Sequence, residues 1–444
     1  MMRSMYSGVS GLRVHQTKMD VIGNNIANVN TVGYKKGQVT FQEALSQVIR
    51  GAGAPQGGKG GTNPQQLGLG LKLGAINTVH TKGATQRTDN PTDLMIDGEG
   101  FFIVSDDKNA ENRYYTRAGN FTFDVDGNLV TADGYRLLGK FIGDSRYADA
   151  LGIDSSKDLD GIKLNKSIVA PATASCQVEL RGNLDSSTAD GDTYTTDTIV
   201  KDSLGNSYKV EIVFEKTATS DEWQVSGTGV TVTDVSTNQP VSGISLSTDP
   251  VPLKFTADGK LDIGSSEEII DIDFSGANIG GTPLSTYFGK GTDELTIDFS
   301  KLTQFANESD AKAFDVEVDG QIGRSSGSLT GFTIDASGKV IASFSNGMKE
   351  ELWQIKLAKF DNSAGLEKMG SNLFTNTPNS GEPQIGMPGN SGLGAINPGT
   401  LEMSNVDLSM EFTEMIVTQR GFQANSRVIT TTDEMLQELT NLKR

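Results

Sequence analysis

A chain of 444 residues is long enough for two or three domains, each with its own buried core. Hydrophobic residues make up only 36%, with 52 Gly against 12 Pro, which implies many tight turns between short strands and thin, β-rich cores rather than disorder. The net charge of −18 argues against a surface that tracks nucleic acid.

The first 50 residues are the exception in charge, with Arg3, Arg13, Lys18, Lys35, Lys36 and Arg50 set against Asp20 and Glu43. Met5, Leu12, Met19 and Ile26 recur there at intervals of seven, and Ile22 and Val29 add a second row. Seven residues make almost two turns of helix, so these positions align as one narrow apolar stripe. The stripe ends in Gly23-Asn24-Asn25-Ile26-Ala27-Asn28-Val29-Asn30-Thr31-Val32-Gly33-Tyr34-Lys35. Its Asn side chains compete for backbone hydrogen bonds and favour caps and turns, and Thr31-Val32-Gly33 releases the chain.

Residues 33–76 read as a Gly-rich connector, with Gly51, Gly53, Gly57, Gly58, Gly60 and Gly61 forming an extended link. Strand-like runs follow, such as Gly100-Phe101-Phe102-Ile103-Val104 and the alternating Tyr208-Lys209-Val210-Glu211-Ile212-Val213-Phe214. One pattern appears three times, at residues 121–129, 255–261 and 332–340, each a Phe-Thr followed by an Asp- and Gly-bearing turn. Each predicts a β-hairpin. The outer two copies flank the acidic middle, where residues 181–320 hold 25 Asp/Glu against nine Lys/Arg. Two distant segments are therefore expected to build one β domain, with a second inserted in it. At the C-terminus Leu408, Met415, Phe422, Ile429 and Leu436 again recur at seven, with Val428, Met435 and Leu442 beside them. This predicts a helix capped near Ser404-Asn405 and running to the end. One stripe on one helix is marginal in water, so its partner is either the other end of the chain or other copies of it.

The fold class expected is mainly β, antiparallel β domains in series with one inserted in another, carrying long terminal α-helices that form a coiled-coil-like pair. The divisions expected are a terminal helical domain (1–32 and 403–444), the connector (33–76), a discontinuous inner β domain (77–167 and 326–402) and an inserted acidic outer domain (168–325). No stretch approaches the roughly 18 apolar residues of a membrane span. The start, Met1-Met2-Arg3-Ser4-Met5-Tyr6, lacks an apolar core and cleavage site, so no cleaved signal peptide is expected, and any export takes a route without one.

Catalytic and cofactor patterns are missing. The two histidines, His15 and His80, have no metal-ligand spacing, and no P-loop, dinucleotide fingerprint or nucleophile elbow is present. Asp124 and Asp126 before Gly127 lack the further ligands of a calcium loop. Acid pairs such as Asp271 and Asp273 read as solvated strand faces. No enzyme activity, metal or cofactor is expected.

The Asn-rich segment closely resembles the N-terminal signature of the bacterial flagellar rod and hook axial family, through Asn24, Asn25, Ala27, Asn28, Thr31, Gly33 and Tyr34. The opening Ser4–Leu12, Asp97-Gly98-Glu99-Gly100-Phe101-Phe102, Tyr115-Thr116-Arg117-Ala118-Gly119-Asn120-Phe121 and Gln419-Arg420-Gly421-Phe422-Gln423-Ala424-Asn425 resemble that family too. Together they cover roughly the first 140 and last 90 residues. Length favours a hook over a distal rod subunit, the alternative. The resemblance implies a helical homopolymer whose terminal helices, through Met5, Leu12, Met19, Ile22, Ile26, Leu408, Met415, Phe422, Ile429 and Leu436, line the wall of a flexible tube. It further implies a place in the hook and basal body outside the cytoplasmic membrane, neighbours in the distal rod and hook–filament junction, and a hook cap and type III export apparatus during assembly. No membrane insertion is implied.

Cys176, the single cysteine, alternates with Val178 and Leu180, so one reading turns it into a core. The chain also resembles the spirochaete branch, which implies a lysinoalanine bond between subunits, from Cys176 to Lys163 or Lys166.

Overall fold

The computed structural model describes residues 2–442 apart from 56, 58, 59, 155, 220, 263, 265, 280, 281, 284–287, 290–292 and 319–321. The chain divides into two compact units. One comprises Met1–Asn165, Phe332–Ala342 and Glu350–Arg444; the other comprises Lys166–Gly331 and Ser343–Lys349.

The first unit carries the long helices α1 (Met2–Ala27) and α3 (Leu408–Asn441) and a short α2 (Ser145–Leu151). The cap of α3 lies two residues beyond the expected Ser404-Asn405. Asp407, not Ser404 or Asn405, caps it, accepting from Ser409 N at 2.9 Å and Met410 N at 3.3 Å. A carboxylate also suits the positive end of the helix dipole. The segment expected as a plain connector is more ordered than that. It holds β1 (Gly37–Glu43) paired antiparallel with β4 (Leu71–Thr78), and β2 (Ser46–Arg50) paired with β3 (Gln65–Gly68). Gly51, Gly53, Gly57, Gly60 and Gly61 lie in the bend of the second pair, where Gly53 bridges Thr62, and Gly58 lies outside the described residues.

Phe101–Ser105 is buried along its whole length and pairs with Tyr114–Thr116, Arg136–Phe141 and Leu357–Lys359. Phe101, Tyr115, Leu138, Ala358, Phe360 and Phe374 close one core around it. The first predicted hairpin is present, Thr122–Phe123 against Leu129–Val130, its turn held by Asp124 accepting from Asn128 N at 2.7 Å. The third uses the same device, Asp335 accepting from Lys339 N at 2.8 Å.

In the second unit the predicted alternation of Ser207–Lys216 holds, with every other side chain buried. Those residues face a core that Val178, Leu180, Ile297 and Phe299 enter from another sheet, and Phe214 meets Phe299 edge-on at 6.2 Å. Trp223 is fully enclosed. Gln177–Asp185 departs from the antiparallel expectation, running parallel to Glu294–Phe305. A parallel pair needs a long crossover, and the chain between these strands supplies it.

Candidate polymerisation interface

α1 and α3 pack antiparallel, and small residues set how closely. A Cβ on Gly11 would lie 2.7 Å from Asn425 Nδ2, and one on Gly8 would lie 3.2 Å from Ile429 Cγ1. From the other side, a Cβ on Gly421 would lie 2.8 Å from His15 Cε1. Glycine inside a helix costs about 1 kcal/mol, so its use here is explained by the close approach of two helices. The seam is extended by the ion pair Lys18–Glu414 at 3.1 Å and by Asn25 donating to Glu411 Oε2 at 3.1 Å.

Of the predicted stripe residues, Ile22 reaches the centre of this seam and the others lie along its border. Ile22 is buried; Met5, Leu12, Met19, Ile26, Met415, Phe422, Ile429 and Leu436 are half-buried; Leu408, on the first turn of α3, is exposed. The central buried positions are Gly8, Gly11, Val14, Ile22 and Asn25 on α1 and Glu411, Thr418 and Thr432 on α3. A search for seven-spaced apolar positions passes over all of these but Ile22. Their signal was Gly8 and Gly11 three apart inside a helix.

A second apolar row remains uncovered. Met410, Val417, Val428, Met435 and Leu439 are 55%, 63%, 42%, 50% and 49% exposed. At about 100° per residue they fall within about 40° of one another, roughly a quarter-turn from the seam. Met2, Tyr6 and Val9 make a similar exposed row on α1.

The Asn-rich segment ties this helix pair to the sheet. Asn28 Nδ2 donates to Asn24 O and Oδ1 at 2.9 and 2.8 Å, and Thr31 Oγ1 donates to Asn28 Oδ1 at 3.1 Å, which closes the helix end over Ala27. Asn25 turns inward: its Nδ2 donates to Gly37 O at 2.9 Å, and its Oδ1 accepts from Gly37 N at 2.9 Å and Tyr34 OH at 3.3 Å. Gly33 has φ 70°, and a Cβ there would lie 2.5 Å from Ala118 N, so the position excludes a side chain twice over.

Immediately after it lies a buried ion cluster. Lys35 Nζ meets Glu402 Oε1 at 2.6 Å with both side chains 0% exposed, and Arg117 Nη1 meets Glu402 Oε2 at 3.4 Å. Lys35 also donates to Thr81 O at 2.8 Å, and Gly83 N donates to Glu402 Oε1 at 3.0 Å. Burial holds the Lys35 ammonium below its ordinary pKa, against the pull of Glu402. Segments from both ends of the chain thus close on one carboxylate.

His80 lies beside this cluster, its ring 5.5 Å from those of Phe101 and Phe374. Burial, and then the charges of Lys35, Arg117 and Lys368, lower its pKa from 6.5 to about 4. The unfolded chain therefore takes up the proton first. His80 contributes stability that is complete above pH 6.5 and lost as pH falls towards 4. The expected result is that His80→Gln loses on the order of 2–3 kcal/mol less than the parent chain between pH 7 and 4, read by urea unfolding at each pH. Parallel curves would refute it.

Cys176 is buried, and its backbone carbonyl accepts from Thr296 N at 3.1 Å. Lys163 Nζ donates to Leu151 O at 3.2 Å, and Lys166 is exposed.

Known families match most of the chain: the flagella basal body rod protein family over 5–35, the flagellar hook protein FlgE/F/G D1 domain over 95–184, the flagellar basal body protein FlaE D2 domain over 163–320, and the flagellar basal body rod FlgEFG protein C-terminal family over 397–442. The chain is 40% identical to the flagellar hook protein FlgE of Borreliella burgdorferi and 37% identical to that of Treponema pallidum, each over 100% of both chains. It is 32% identical to the flagellar basal-body rod protein FlgG of Bacillus subtilis, also over 100% of both. With the higher identities on the hook side, the chain belongs to the flagellar hook protein family and is a structural subunit of the hook.

Proposed function

We propose that the subunit polymerises through α1 and α3, whose paired seam leaves a second apolar row to be buried by other copies in the wall of a tube. The observation that carries this is the row Met410, Val417, Val428, Met435 and Leu439, exposed about a quarter-turn away from the face that packs on α1. Met5, Leu12, Met19, Ile22, Ile26, Leu408, Met415, Phe422, Ile429 and Leu436 hold the pair together and border the contact. On this reading 1–32 and 403–444 form the wall, 33–76 the joint, 77–167 with 326–402 the inner domain, and 168–325 the outer domain. Hydrated polar faces on the outer domains suit contacts that change length as a bent tube turns and transmits torque. The role is mechanical, not catalytic. Export without a cleaved signal, a site outside the cytoplasmic membrane, and contacts with distal rod, junction, cap and export proteins follow from the family role. The test is direct: concentrated full-length protein should form tubes by electron microscopy, and a chain trimmed to 33–402 should not. A full-length chain that stays monomeric sinks the reading.

The likeness to two spirochaete proteins along the whole chain supports a covalent extension. Cys176 would lose its Cα proton and its sulfur as hydrogen sulfide; the Lys163 (or Lys166) amine of a neighbour would add to Cβ, and a proton would return to Cα. Because Cys176 is buried in the single chain, assembly must uncover it. Hooks of Cys176→Ala are expected to dissociate on boiling in detergent, where parent hooks resist. Equal resistance rules the bond out.

A further inference from the structure

The excess acid is confined to one unit. Lys166–Gly331 with Ser343–Lys349 holds 26 Asp/Glu against 12 Lys/Arg, whereas the helix-bearing unit holds 30 against 26. Copies stacked in a tube bring these acidic units together, and their like charge opposes assembly unless a counter-charge is supplied. The helix-bearing unit has a cationic hollow that no residue of α1 or α3 lines: a cavity of about 590 Å³ lined by Asn109, Arg113, Lys140, Lys157, Lys356 and Ile385, with Asp158 and Leu159 at its side. Four cations face one carboxylate there. Among the described residues the cavity's ion pair is Lys140–Asp158 at 3.1 Å, and that Asp158 side chain is 92% exposed. Lys356 is half-buried, its ammonium held below the ordinary pKa by burial and then by Lys140. Among the described residues the other three positive charges have no ion-pair partner in the cavity, and one of them is partly desolvated, an arrangement that an incoming carboxylate would relieve.

We infer that this cavity receives acidic side chains from the Lys166–Gly331 unit of a second copy, making an electrostatic contact between subunits outside the helical wall. The inference rests on the polymer reading above. Its volume suits one or two carboxylate side chains rather than a folded element. The contact is wet and charged, so it weakens with salt and tolerates sliding, unlike a dry apolar seam.

Two experiments test it on the full chain. A photo-reactive p-benzoylphenylalanine in place of Lys356, irradiated in assembled tubes, should give an interchain dimer whose cross-linked peptide falls within 166–331. A product confined to one chain, or mapping to 1–165 or 350–444, overturns the inference. Second, Lys140→Glu with Lys356→Glu should raise the critical concentration for tubes about tenfold at low salt and abolish its dependence on NaCl. Lys140→Gln with Lys356→Gln should fall between. Charge-reversed chains that assemble like the parent at every salt concentration refute the cavity contact while leaving the helical polymer intact. A parent chain that forms no tubes refutes the polymer reading itself.

Discussion

Glu402→Leu is expected to cost the helix-bearing unit about 3–5 kcal/mol, the largest loss from any single substitution considered. The change leaves Lys35, 0% exposed, and Arg117, 4% exposed, without the carboxylate that pairs them. Taking a charge out of water is repaid only by a well-placed partner, so removal of the partner is far more damaging than removal of the pair. The double variant Glu402→Leu with Lys35→Met should therefore regain much of the loss, although Arg117 remains unpaired. The two Trp make the measurement specific, since Trp353 lies in this unit and Trp223 in the other. Urea unfolding followed by Trp353 fluorescence in a Trp223→Phe background reads the helix-bearing unit alone. A midpoint shift worth less than about 1 kcal/mol for the single variant would show that the cluster is not held as described.

The second expectation separates folding from assembly. Val417→Glu with Met435→Glu should leave the monomer's unfolding midpoint within about 0.5 kcal/mol of the parent, because both side chains are exposed and Glu is a good helix former. Tube formation should be lost, or its critical concentration raised at least about 100-fold. Burying one such apolar side chain is worth about 1.5 kcal/mol, roughly tenfold in affinity, and a carboxylate forced into the same contact adds a desolvation penalty. Sedimentation and electron microscopy across a concentration series decide it. Tubes at the parent's concentration would remove the exposed row from the interface and leave the α1–α3 seam without an assembly role.

Much of this was legible in the residues themselves. Seven-residue spacing marked both helices, strict alternation marked Ser207–Lys216, and Asp before Gly marked the hairpin turns at Asp124 and Asp335. Each is a local rule, in which side-chain direction or turn chemistry depends only on near neighbours in the chain. Other features escaped for the opposite reason. The part Gly8 and Gly11 play shows only when Asn425 and Ile429, over 400 residues away, are seen pressed against them. Asn25 read as a cap residue, whereas its side chain bridges β1, Tyr34 and Glu411. Nothing local distinguishes Lys35 or Glu402 from solvated charges. Only the meeting of 33–35, 81–83, 117 and 402 takes them out of water.

By itself, then, the sequence determined the types of the elements, the family and the absence of recognisable catalytic motifs, because periodicity and short motifs are written in neighbouring residues. Tertiary structure alone decided which face of each helix is seam and which is left bare, and which charges are buried. Those outcomes depend on contacts between segments hundreds of residues apart, where burial changes the energy of a side chain without changing its identity.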